Sequence, residues 1–229
     1  MRLVSLFCEV VLLLFKTFIF MSMIAPKKEN KFFRTMMYIA AIPLAITFFT
    51  CVYNNLLPNV MAVILCVSLP SFFIFIILSK HKGFRFYVTF CMVETMWFIL
   101  TFYTRIPGLL GNELWSAVCA IIAVIATFIF YLTGSKYLED YRDIMEKVDR
   151  GWAFTALSST LIYGLLTLSA IYPKPLSYRP EYVLTYTFMT FVMLSFYVVF
   201  IIHIRRKREL LDLNAQLLNE KRWHEIAYI

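Results

Sequence analysis

The sequence predicts an all-α integral membrane protein: a seven-transmembrane-helix bundle followed by a cytoplasmic signalling helix. Three observations carry this. Of 229 residues, 61% are hydrophobic and 16% charged, whereas a soluble domain averages about 45–50% and about 25%. Apolar runs of about 18 residues or more recur between polar breaks, each long enough to cross about 30 Å of hydrocarbon. Finally, Lys and Arg gather in alternate breaks.

The runs fall at 3–24, 36–57, 59–79, 84–104, 114–133, 152–172 and 182–204. Residues 1–204 thus form the predicted sensor bundle and 205–229 a linker helix. Span one begins after Arg2 like a signal peptide, but its apolar run is too long. No small-x-small cleavage site ends it and Lys27-Lys28 follow at once, so it reads as a retained span. The break at 53–59 is short and uncharged, which predicts a tight hairpin between spans two and three. Pro43 and Pro70 lie inside those spans as tolerated kinks.

The breaks after spans one, three, five and seven hold fifteen Lys and Arg, and the opposite side holds four. Cations mark the cytoplasmic side of a plasma-membrane protein, which places the N-terminus outside and the C-terminus in the cytoplasm. The net charge of +8 therefore reports topology, and no nucleic-acid partner is expected. The five cysteines lie in apolar runs, against a disulfide framework, and no Cys/His spacing suggests a metal.

Between spans five and six, Leu138, Tyr141, Met145 and Val148 repeat at helical spacing among charges. Asp143–Lys147 and Glu146–Arg150 are spaced for favourable pairs. Two placements stay open for this amphipathic segment: lying on the headgroups, or packing on the helix after span seven. Gly151 can end it, and Trp152 can anchor the next span at the interface.

Ionisable groups inside spans are the candidate site, because a charge in hydrocarbon must have a reason. Lys16 and Glu9 lie in span one, seven residues apart on one helix face, and Glu94 lies near the middle of span four. Lys16 and Glu94 fall at similar depth. Their pairing would either orient two helices or form a polar pocket for a small ligand or a proton-linked switch. No GxxxxGK[ST], HExxH, GxSxG or GxGxxG motif occurs, so neither catalysis nor a cofactor is expected of this chain.

Span seven runs into Arg205, Arg206, Lys207 and Arg208, a membrane-surface anchor, and continues without Pro or Gly. Leu210, Leu213 and Leu217 follow 3-4 spacing beyond it, a seam too short for a coiled coil alone. Joined to a span and a partner helix, the seam predicts a homodimeric signalling helix.

The ending Asn214-Ala-Gln-Leu-Leu-Asn-Glu-Lys-Arg-Trp-His-Glu-Ile-Ala-Tyr-Ile229 resembles the linker before the catalytic domain of membrane-bound bacterial diguanylate cyclases, the GGDEF proteins. There, such a helix ends in an Ala-x-x motif followed by Asp-x-Leu-Thr-x-Leu. The stretch from Tyr141 through Asp149-Arg-Gly-Trp152 to Tyr172-Pro-Lys-Pro-Leu-Ser-Tyr-Arg-Pro180 is similar to multi-span sensor regions of clostridial-type signalling proteins. Those are fused to GGDEF domains or to GHKL-type histidine kinase domains. The resemblance implies the membrane half of a larger signalling protein, or a truncated product, with a fused or associated cytoplasmic output domain. None of the GGDEF nucleotide- or metal-binding residues is present. The rival expectation is a small transporter or permease, which would show internal pseudo-symmetry and broken helices.

Overall fold

The computed structural model describes residues 2–24, 31–57, 59–148, 151–172 and 180–227. Almost all of them are helical. In order come α1 (Arg2–Met23), α2 (Lys31–Tyr53), α3 (Asn59–Val63), a π turn (Ile64–Ser68), α4 (Leu69–Leu78), α5 (Phe84–Leu109) and α6 (Glu113–Thr133). These are followed by α7 (Ser135–Lys147), α8 (Trp152–Ile171), a 3-10 turn (Pro180–Tyr182) and α9 (Val183–Ala227).

Among the described residues, six stretches are long and apolar enough to cross a bilayer: Leu3–Met23, Met61–Leu78, Phe84–Gly108, Glu113–Thr133, Trp152–Ile171 and Val183–Lys221. Together they mark a multi-pass membrane protein. In α2 the described apolar stretch is shorter, Tyr38–Tyr53, although the helix itself has 23 residues. The spans expected at 59–79 and 182–204 differ most from what is observed. The first is α3, the π turn and α4 joined end to end, and the second is the start of a single 45-residue helix.

Pro70 explains the π turn. A proline in a regular helix has no N–H and its ring collides with the carbonyl four residues back. Widening the preceding turn relieves that conflict, and Leu69 N–H bonds to Ile64 O, five residues back. Pro107 does not stop α5 either, because the helix runs on to Leu109. A turn at Gly111 (φ +87°) then leads to Asn112, whose Oδ1 caps α6 by accepting from Trp115 N–H at 3.2 Å. Gly151 adopts φ +101°, a conformation that favours glycine, and launches α8.

Helix α5 is the post of the bundle: 72% of its span is buried, against 22–44% for the other five. It packs on α1, α6, α8 and α9. Around its first half Phe20, Phe72, Phe86 and Phe90 interlock, with ring centroids 5.1–6.1 Å apart. Around its second half Phe98 and Phe102 meet Tyr186 of α9. Outward residues such as Phe154 and Leu184, 77% and 81% exposed, form an apolar exterior suited to lipid.

Helix α7 lies under the bundle at its basic end. Its stripe of Leu138, Tyr141, Ile144 and Met145 is buried together with Val148 in the core that holds Met23, Ile24, Phe86, Phe200 and Ile204. The stripe thus faces the bundle, including α9, rather than headgroups. Arg85 Nη1 donates to Met145 O at 2.7 Å, and Thr89 Oγ1 lies 3.1 Å from Tyr141 Oη. Trp152, expected at the interface, is instead buried in this core, with its indole N–H on Val148 O at 2.6 Å and its ring against Phe200. The charged pairs also differ from expectation. Lys147 meets Asp212, Glu146 meets Lys80 and Asp143 meets Arg208, while Arg150 lies outside the described residues.

Two predictions follow from this packing. Phe86→Ala removes a fully buried ring and should cost about 3–5 kcal/mol, read as a lowered melting temperature in detergent, while Phe154→Ala should leave it unchanged. The second concerns His81, in the turn before α5. Burial, then the Arg85 and Lys80 charges, hold its pKa below the ordinary value, opposed by Glu146. The unfolded chain therefore takes up the proton first. The stability tied to neutral His81 is present above about pH 6.5 and lost as pH falls through the lowered folded value. Melting between about pH 7.5 and 5 should decline less steeply in His81→Gln.

Candidate functional site: buried charges and the exit helix

Helix α1 presents Glu9 and Lys16 to α5, which answers with Arg105 and Glu94. Lys16 Nζ pairs with Glu94 Oε1, and both side chains are buried, 6% and 3% exposed. Lys16 also sits over the Trp97 ring, 4.8 Å from its centroid. The second Glu94 oxygen accepts from Ser68 Oγ at 2.7 Å. Ser68 closes the π turn, so the Pro70-driven distortion also supplies a ligand to the carboxylate. Glu9 is held by Arg105, whose Nε and Nη2 donate to its two oxygens.

The sequence placed Lys16 and Glu94 at one depth, and the structure joins them. Arg105 was assigned to the break after span four. Because α5 continues through Pro107, Arg105 remains on the helix and reaches Glu9. The available signal was that Glu9 and Arg105 lie toward the same membrane face, on antiparallel spans. Each helix contributes one acid and one base to the two pairs, arranged crosswise, so the pairs fix the register of α1 on α5. Each would leave a costly lone charge if the helices slid.

On the other side of Glu94 lies a polar seam shared by α5, α8 and α9. Thr95 Oγ1 lies 3.3 Å from Tyr197 Oη, and Cys91 Sγ lies 4.0 Å from Thr160 Oγ1. Tyr103 Oη meets Thr190 Oγ1 at 2.7 Å nearer the other end. On α8, Ser159, Tyr163 and Thr167 repeat every four residues, and their buried hydroxyls form no well-aligned hydrogen bond. Tyr163 comes near Ser68 and Thr167, and Ser159 near Tyr197, without that alignment. Among the described residues no cluster of His, Cys, Asp and Glu is arranged to hold a metal.

Helix α9 leaves the bundle unbroken, about 68 Å long at 1.5 Å per residue. Of the four consecutive basic residues at 205–208, Arg208 is inserted between helices. It faces Asp140 at 3.8 Å and Asp143 at 3.6 Å on α7, and Asp212 at 3.7 Å on its own helix. Arg205 pairs with Glu209 at 3.8 Å, and Lys207 approaches the turn at Gly151. Beyond the clamp Leu210, Leu213 and Leu217 are 60%, 51% and 48% exposed.

Lys16→Met should leave the Glu94 carboxylate buried and unpaired, costing about 3–5 kcal/mol, and the double variant Lys16→Met/Glu94→Gln should recover most of it. Melting temperatures of the single and double variants in one detergent check this. Additive losses would show that the pair does not couple α1 to α5.

No family model, curated protein or solved structure matches this chain.

Proposed function

We propose that this chain is the membrane-embedded, signal-transducing region of a bacterial plasma-membrane sensor, relaying a signal through α9 to a cytoplasmic output domain. The observation that supports this most is the continuity of α9. One helix carries Thr190 and Tyr197 in the polar seam, Arg208 in the clamp with α7, and the exposed leucines beyond. A rotation or shift imposed within the bundle is thus delivered to the leucine seam, with no hinge residue between them. In this proposal α2 is the seventh span, and the fifteen-to-four asymmetry of Lys and Arg puts the N-terminus outside and the clamp in the cytoplasm.

The exposed seam of Leu210, Leu213 and Leu217 pairs with that of a second copy, making the relay a homodimer. The resemblance of residues 214–229 to GGDEF linkers favours a diguanylate cyclase as output, with a GHKL-type histidine kinase second. A transporter is the other reading, favoured by the buried ion pairs, and uptake into vesicles separates the two.

Inserting one residue after Arg208, in a chain carrying a cytoplasmic output domain on α9, rotates everything downstream by about 100°. Output should change markedly and return in part as further insertions restore the phase; output indifferent to such insertions overturns the relay. Arg208→Ala should alter output while lowering the melting temperature only modestly, since its three partly exposed pairs contribute about 0–1 kcal/mol each.

A further inference from the structure

A cleft of about 920 Å³ opens between α1, α5, α6 and α9, with α7 across one end. This is near the upper end of the range, about 300–1,000 Å³, of cavities that hold small ligands. Its two ends differ chemically. The deep end lies at Leu12, Lys16, Trp97 and Leu100, and its walls include Met92, Met96, Ala126 and Ile201. The indole N–H of Trp97, a residue only 4% exposed, is buried without a hydrogen-bond partner. The other end is ringed by Asp140, Arg205, Arg208, Glu209 and Asp212.

Length and charge identify the occupant. The cleft follows α1 from Leu12 to Met23, eleven residues or about 16 Å of helix. That is about half of a hydrocarbon core of roughly 30 Å, the depth of one leaflet. An apolar slot of one leaflet's depth, open to charged groups where the span leaves the bilayer, fits an acyl chain below its headgroup. The rim carries both signs, so a purely anionic head would meet three carboxylates. A zwitterionic head meets both needs: its phosphate faces Arg205, whose side chain is 63% exposed, and its ammonium faces Glu209 and Asp212. Carboxylates accept hydrogen bonds from a primary ammonium, which has three N–H donors, but a quaternary ammonium offers none.

We propose that the cleft is a binding site for an aminophospholipid of the surrounding bilayer, taking one acyl chain to the Lys16–Trp97 end and its headgroup between Arg205 and Glu209. The second chain stays in the membrane. The site stands independently of the relay: lipid occupancy is measured directly, whatever the output.

The test uses the full chain in nanodiscs made from equal parts phosphatidylethanolamine and phosphatidylcholine, followed by native mass spectrometry of lipid retained after transfer to detergent. One phosphatidylethanolamine should be retained per chain, enriched about tenfold over phosphatidylcholine, the ratio that a charge-assisted hydrogen bond supplies. Ala126→Trp, which fills the wall, should lose it. The double variant Arg205→Gln/Glu209→Gln should still hold lipid but lose the enrichment, and it decides the matter if Ala126→Trp does not fold. Retention without headgroup preference in the unaltered chain, or enrichment unchanged in the rim variant, overturns the proposal.

Discussion

The structure depends on one constraint: a charge within hydrocarbon must be answered by another. Lys16 with Glu94, and Glu9 with Arg105, meet that requirement crosswise between α1 and α5. In water each pair would contribute little; in a medium without solvent, separating either costs several kcal/mol. The pairs therefore do more than neutralise. They set which turn of α1 lies against which turn of α5, and α5 is the helix against which most of the bundle packs. Apolar contact alone specifies such register weakly in a bilayer, since lipid solvates a leucine as well as a neighbouring helix does.

From this frame the route to α9 is short. Glu94 holds Lys16 on one oxygen and Ser68 on the other, and the next residue on α5, Thr95, meets Tyr197. At the basic end α7 turns its apolar stripe into the same core and its carboxylates toward Arg208. Helix α9 is thus held inside the bundle by ring packing at Tyr186 and Phe200 as well as by hydroxyl contacts, and beyond it by ion pairs. The hydroxyl contacts and the ion pairs exchange partners more cheaply than the packed rings do.

The sequence made some of this legible and not the rest, for identifiable reasons. Apolar length alone located six spans, with the described apolar part of α2 shorter than the rest, and depth alone matched Lys16 to Glu94. Arg105 was misassigned because Pro107 looked like a boundary, whereas a proline near the end of a membrane helix can be absorbed. The stripe of α7 was visible, but periodicity reveals a face and not what covers it. Trp152 carried the signature of an interfacial residue and is buried, because Val148 O and Phe200 provide partners that no local pattern announces. The π turn followed from Pro70 only once its carbonyl partner was in view. The cleft was beyond reach, being a space that α1 and α9, from opposite ends of the chain, enclose together with α5, α6 and α7.

The central claim is that α9 is one rod from the bundle to the exposed leucines. Its most direct test is a pulsed electron-resonance distance between spin labels at Val198 and Leu218, both exposed, in a chain whose native cysteines are replaced by serine. Twenty residues of continuous helix predict one narrow distribution near about 30 Å. A broad or markedly shorter distribution would show a hinge near Arg205–Arg208, and a rod with such a hinge could not carry rotation out of the membrane.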